Sequence, residues 1–181
     1  MEADDLLSSL VEKGCEWLQE QRRLYLAGAR PLSESERNPL RGYYEARVLD
    51  AVRVAMVDRI SNPEFYPELV RSGNPVLDLS AAAGITLIDC IVILKTFRLD
   101  SAARISILFH ELVHVVQYDI MGPGKLIEAY LSSWAENGYR YDRISFEVQA
   151  QRLEARFDGR ERPFPVRQEV ERDLRKWGCL A

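Results

Sequence analysis

Residues 105–118 read Ile-Ser-Ile-Leu-Phe-His-Glu-Leu-Val-His-Val-Val-Gln-Tyr, and no other stretch constrains the chain as strongly. Apolar residues recur on nearly every side of a 3.6-residue helix, the pattern of a helix buried inside a domain. Ala103, Ile107, His110, Glu111, His114, Gln117 and Tyr118 nevertheless gather on one side. A buried face that carries His, Glu, His and Gln needs polar partners, and a metal ion supplies them. His110 and His114 stand at i and i+4, so both imidazoles can reach one ion. Glu111 lies one residue on, about 100° around the helix, beside the ion rather than on it. That is the place for a general base acting on water.

The two histidines of the motif are the only two in the chain. A Cys-His nucleophile is therefore disfavoured, and the zinc class that needs a third downstream His is excluded. Three cysteines (Cys15, Cys90, Cys179) stand far apart with no C-x-x-C, which suggests neither a disulfide framework nor a thiolate zinc site. At 181 residues and 47% apolar content, a single domain spanning 1–181 is expected. A net charge of −4 gives no general attraction to nucleic acid or anionic lipid. The Arg-rich C-terminal third is interleaved with acids and reads as solvated helix faces. The acidic start Met1-Glu2-Ala3-Asp4-Asp5 has no secretory n-region. No apolar run is long enough to span a bilayer, so a cytoplasmic protein is expected, with non-classical export as the alternative.

The periodicities predict an α+β domain, mostly helical, with a small antiparallel sheet or hairpin packed on the motif helix. Residues 1–40 should hold a long helix over 4–27 and a polar connector. Leu7, Leu10, Val11, Gly14, Trp17, Leu18, Gln21, Leu24 and Tyr25 make the helix's apolar stripe. It covers the core, or acts as a propeptide-like helix over a cleft. Residues 46–97 form the β-rich part: a strand over Val52–Asp58, a short helix over 67–72, and a hairpin from Ile85-Thr86-Leu87-Ile88 and Ile91-Val92-Ile93-Leu94. The hairpin edge is a candidate for holding a peptide backbone by strand addition. Residues 100–158 carry the active-site helices: one capped by Asp100 or Ser101, one over Lys125–Ala135, and one over about 145–157. A last amphipathic helix occupies 163–181.

A catalytic zinc needs three protein ligands and an open position. The third ligand comes from Glu128, Glu136, Asp142, Glu147 or Glu154. Glu147 is favoured because it sits early on a helix whose stripe includes the small Ala150, with Glu128 and Glu154 in reserve. Glu111 is the expected base. Tyr141, Tyr139 and Arg143 are candidates to stabilise an oxyanion, and Gln117 is a candidate partner for a histidine ligand.

Phe109-His110-Glu111-Leu112-Val113-His114-Val115-Val116-Gln117, preceded by Gly84-Ile85-Thr86-Leu87 and Ile91-Val92-Ile93, resembles a bacterial family of metallopeptidase-like domains. That family carries an H-E-L-x-H-V-x-Q helix after an apolar hairpin and is often associated with extracellular contractile injection systems. Tyr141-x-x-Ile144-x-x-Glu147-x-x-Ala150 is similar to its Y-x-x-I/N-P-x-E-x-x-A segment. The resemblance covers roughly residues 75–158. It implies a gluzincin-like site with zinc on His110, His114 and Glu147, a peptide or protein substrate, and a link to a secretion or injection machine. Ser145 stands where proline is usual, and Gln151 where many gluzincins place Asp. Two readings compete with a peptidase: a non-catalytic binding or regulatory module on the same fold, and an effector-type peptidase delivered by a secretion machine.

Overall fold

The computed structural model describes residues 3–96 and 102–180. Its elements are α1 (Ala3–Leu26), β1 (Arg30–Pro31), α2 (Glu34–Arg37), α3 (Ala46–Ala51), β2 (Arg53–Val57), α4 (Tyr66–Arg71), β3 (Gly84–Leu87), β4 (Cys90–Leu94), α5 (Ala102–Met121), α6 (Pro123–Glu136), α7 (Ser145–Asp158) and α8 (Val166–Lys176). A short 3₁₀ turn, Tyr141–Arg143, precedes α7. Among the described residues no helix is long and apolar enough to cross a membrane.

The expected hairpin is present, with β3 antiparallel to β4 and Leu87 opposite Cys90. Ile88 takes up the tight turn at φ +65°. The sheet is larger and more mixed than a lone antiparallel hairpin. Its order is β1-β2-β4-β3, and β2 runs parallel to β4. The short strand β1 lies where the sequence indicated only the approach to a polar connector. Two residues are too few to show an alternation, and their pairing to Val54 and Arg53 is long-range. The helix α3 was likewise not foreseen: its six residues run into the alternation of β2 without the proline and glycine breaks that flag the equally short α4.

Alternation along β2 and β4 divides the interior in two. Val54, Ile91 and Ile93 face the larger core, which is shared with α5, α7 and α8. Ala55, Cys90, Val92 and, from β3, Leu87 face the opposite way, against Leu18 of α1. The sheet is therefore a middle layer between α1 and α5. Arg22 of α1 donates to both carboxylate oxygens of Asp89 in the hairpin turn, at 2.5 and 2.7 Å, which ties α1 to that turn. Leu24, counted on the apolar stripe of α1, is 54% exposed. It falls at the edge of the stripe, while its neighbours Tyr25 and Leu26 pack against the core on the α1 side of the sheet.

Gly122, at φ +76°, ends α5 and lets α6 start at Pro123, two residues earlier than the sequence suggested. The expected cap at Asp100 or Ser101 lies outside the described residues. Ser145 begins α7, and its backbone N–H donates to Ser133 Oγ on α6 at 3.0 Å. A proline there would lack that donor, so serine at this position joins the start of α7 to α6.

Candidate metal centre

The motif helix α5 packs against α7 through Phe109, stacked on Phe157 at 4.5 Å, and through the buried Ala150 and Leu153. The small Ala150 lets the first turn of α7 come close to α5. Gln117 adds polar stitches, donating to the Phe146 carbonyl at 3.3 Å and to Gln149 Oε1 at 2.9 Å. This packing brings Glu147 over the histidine face.

His110, His114 and Glu147 form a cluster that could hold a metal ion, their ligand atoms all within 4.8 Å of one another. The two Nε2 atoms are 3.2 Å apart. Glu147 presents Oε2 to His110 Nε2 at 3.4 Å and Oε1 to His114 Nε2 at 3.3 Å. Each imidazole is oriented from behind: His110 Nδ1 lies 3.0 Å from Glu154 Oε2, and His114 Nδ1 lies 2.8 Å from Gln117 Oε1. Both partners are acceptors, so Nδ1 carries the hydrogen and, in neutral rings, each Nε2 directs its lone pair at the carboxylate.

Three acceptors converging in a buried place need a positive charge between them. Burial opposes protonation of His110, but its hydrogen bonds to Glu147 and Glu154 outweigh this and lift its pKa to about 10. His114 is also raised, with the charge of Glu147 overcoming its burial. Burial likewise pushes Glu147 upward, and the two histidines more than reverse this, holding it well below the usual carboxylate range.

Glu111 stays outside the cluster. Its carboxylate accepts from Thr86 Oγ1 of β3 at 2.7 Å. Burial is the largest influence on it and raises its pKa despite the nearby histidines and Thr86. The backbone at Gly84 passes so close that a Cβ there would lie 3.1 Å from Glu111 Oε1.

Tyr130 and Tyr141 donate to Glu147, to Oε1 at 2.8 Å and to Oε2 at 2.5 Å. Burial and the Glu147 carboxylate push both phenols up, so they remain donors at neutral pH. Tyr141 thus stands at the site. Tyr139 packs its exposed ring on Trp134 instead, and Arg143 is exposed. Glu128 and Gln151 are also exposed and lie outside the cluster. Glu154, a reserve ligand in the sequence reading, supports His110 from Nδ1 rather than joining the cluster. Sequence reasoning missed Thr86 and Tyr130. Each had a faint signal: Thr86 is the one polar residue in its β-branched run, and Tyr130 puts a hydroxyl on a core stripe.

Among the described residues, β3 is the last strand of the sheet. Leu94 N–H donates to the Ala83 carbonyl at 3.1 Å. By alternation, Ile85 and Leu87 also direct their backbone groups to β4, while Gly84 and Thr86 turn theirs to the free edge.

Comparison with protein-family models, curated proteins and solved structures gives no match for this chain.

Proposed function

We propose that the protein is a zinc-dependent metallopeptidase on a zincin-like, gluzincin-type fold, hydrolysing peptide bonds. The observation that carries this reading is the His110, His114, Glu147 cluster with Glu111 held beside it but outside it. The donor set of two imidazoles and one carboxylate suits zinc. A tetrahedral ion bound at about 2.0–2.2 Å keeps its ligand atoms about 3.3–3.6 Å apart; the two Nε2 atoms here are 3.2 Å apart, and each faces a different oxygen of Glu147, at 3.4 and 3.3 Å. The Nδ1 contacts of Glu154 and Gln117 are those expected behind histidine ligands.

When bound, zinc supplies Lewis acidity for the scissile carbonyl and for the attacking water. Glu111 accepts the proton that water loses as its oxygen bonds to the carbonyl carbon. It then returns that proton to the nitrogen as the C–N bond breaks, leaving a carboxyl group and an amine. Thr86 and the close Gly84 backbone keep the carboxylate of Glu111 aimed. Tyr141, at the rim beside Glu147, is the hydrogen-bond donor for the developing oxyanion. The free edge of β3 takes the substrate backbone by strand addition, through the outward groups of Gly84 and Thr86. In this reading the resemblance to metallopeptidase-like domains of injection systems extends to activity, and a secretion or injection machine is the partner.

The test is cleavage of a denatured protein by zinc-loaded enzyme, compared with Glu111→Gln. Wild type should cut, and the variant should lose about 10²–10⁴-fold in rate with its zinc retained. Equal rates overturn the assignment of Glu111.

A further inference from the structure

A cavity of 440 Å³ opens beside the metal centre at the free edge of β3. The chemistry above uses only its polar end, where Glu111, His114, Glu147 and Tyr141 face it. The remaining walls are apolar except for Asp78. Trp17 and Leu18 of α1 close it on one side, Ile127 and Leu131 of α6 on another, and Phe65 and Leu79 on a third. The volume lies in the range of about 300–1,000 Å³ typical of ligand sites.

Its charge pattern narrows the occupant. Among the described residues, neither lysine nor arginine lines the cavity. Of its three carboxylates, Glu111 and Glu147 belong to the centre, and Asp78 already accepts from Asn62 Nδ2 at 2.9 Å and Ser80 Oγ at 2.6 Å. An anionic group placed here meets carboxylates and no cation. A cationic group loses its water against the apolar walls, and the one carboxylate outside the centre, Asp78, is exposed to solvent rather than buried to receive it. A neutral apolar group loses nothing of this kind and buries its surface.

We propose that this pocket receives a bulky, uncharged apolar side chain, aromatic or branched aliphatic, from the substrate residue next to the bond that is cut. The proposal rests on the peptidase reading, because the occupant is identified by the pocket's continuity with Glu111, His114 and Glu147. Two consequences follow. Substrates with a charged residue at that position are cut at least about a hundredfold less efficiently. The enzyme cuts internal bonds rather than trimming C-termini, since no cation among the described residues lines the pocket to meet a terminal carboxylate.

The experiment has two arms. In the first, N-acetyl-phenylalanine amide and N-acetyl-leucine amide are compared with the aspartate and lysine amides for binding to wild type, using saturation-transfer NMR. The same probes are applied to Gly14→Leu and Ala82→Leu, two substitutions into the pocket lining. At Gly14 an added Cβ meets only Ile127 Cγ2 at an ordinary 3.5 Å, and circular dichroism checks both folds. The apolar probes should bind wild type, the charged ones should not, and a folded variant should lose at least about tenfold in affinity. Charged probes binding as well as apolar ones, or folded variants binding like wild type, overturns the proposal.

In the second arm, cut sites made by zinc-loaded wild type on a denatured protein are mapped. Cuts should flank Phe, Tyr, Leu, Ile or Met. Cuts without such a residue overturn the pocket assignment and leave the peptidase reading standing. Selective apolar binding without any cleavage supports the pocket's preference and overturns the peptidase reading.

Discussion

Glu154 Oε2 sits 3.0 Å from His110 Nδ1, seven residues beyond Glu147 on the same helix. Two turns of α7 thus deliver both a carboxylate to the cluster and a carboxylate behind one of its histidines. Gln151, four residues after Glu147, is exposed and takes no part. Ser106 holds Glu154 in turn, donating to Oε1 at 2.8 Å. Removing such an outer partner costs about 10–100-fold in metal affinity. Glu154→Ala should show that loss in a zinc competition titration against a chelator, with its secondary structure intact. Affinity unchanged within twofold means Glu154 does not orient His110.

Gly84 leaves room for the Glu111 carboxylate. A methyl group there would lie 3.1 Å from Glu111 Oε1 and 3.3 Å from both Glu111 Cγ and Ile107 Cγ2. The neighbours must yield by a few tenths of an ångström, and the flexible carboxylate yields most readily. Gly84→Ala should therefore lower kcat by about tenfold while zinc content stays at the wild-type level. A normal kcat in a fully metallated Gly84→Ala would show that Glu111 does not need this fit.

Glu36 anchors α2 beneath α5. Its buried carboxylate accepts from Arg30 at 2.7 Å and from the buried Arg104 of α5 at 2.8 Å. Burial raises its pKa, but the Arg30 guanidinium and the Ser33 backbone and hydroxyl overcome this and lower it from 4.5 to about 2. Because the folded value lies below the unfolded one, the stabilisation is complete above about pH 4.5 and is lost as pH falls toward 2. Its size is on the order of 3 kcal/mol. Glu36→Gln should be less stable than wild type by about that amount at pH 7 in urea unfolding. The gap should narrow below pH 4.5. A gap independent of pH would contradict the depressed pKa.

Legibility followed the range of the interactions. The helices α1, α5, α7 and α8 were visible because each repeats its apolar residues over three or more turns. The β3–β4 hairpin was visible from two β-branched runs with a break between them. β1 and the parallel pairing of β2 with β4 were not, since each depends on partners distant in sequence and leaves no local pattern. At the site, His110, Glu111 and His114 share one helix turn and could be read together. Glu147 was singled out by its place beside Ala150 and by a resemblance, with other acids still open. Thr86 and Tyr130 come from β3 and α6, and only the packing of those elements on α5 and α7 shows what their hydroxyls meet.

The central claim is that His110, His114 and Glu147 hold zinc, and metal content tests it most directly. Protein purified without chelators and dialysed against trace zinc should carry one zinc ion per chain by mass spectrometry of the metal. Glu147→Ala should bind at least about a hundredfold more weakly while keeping the wild-type circular dichroism spectrum. Wild type holding no more zinc than a folded Glu147→Ala would contradict the account.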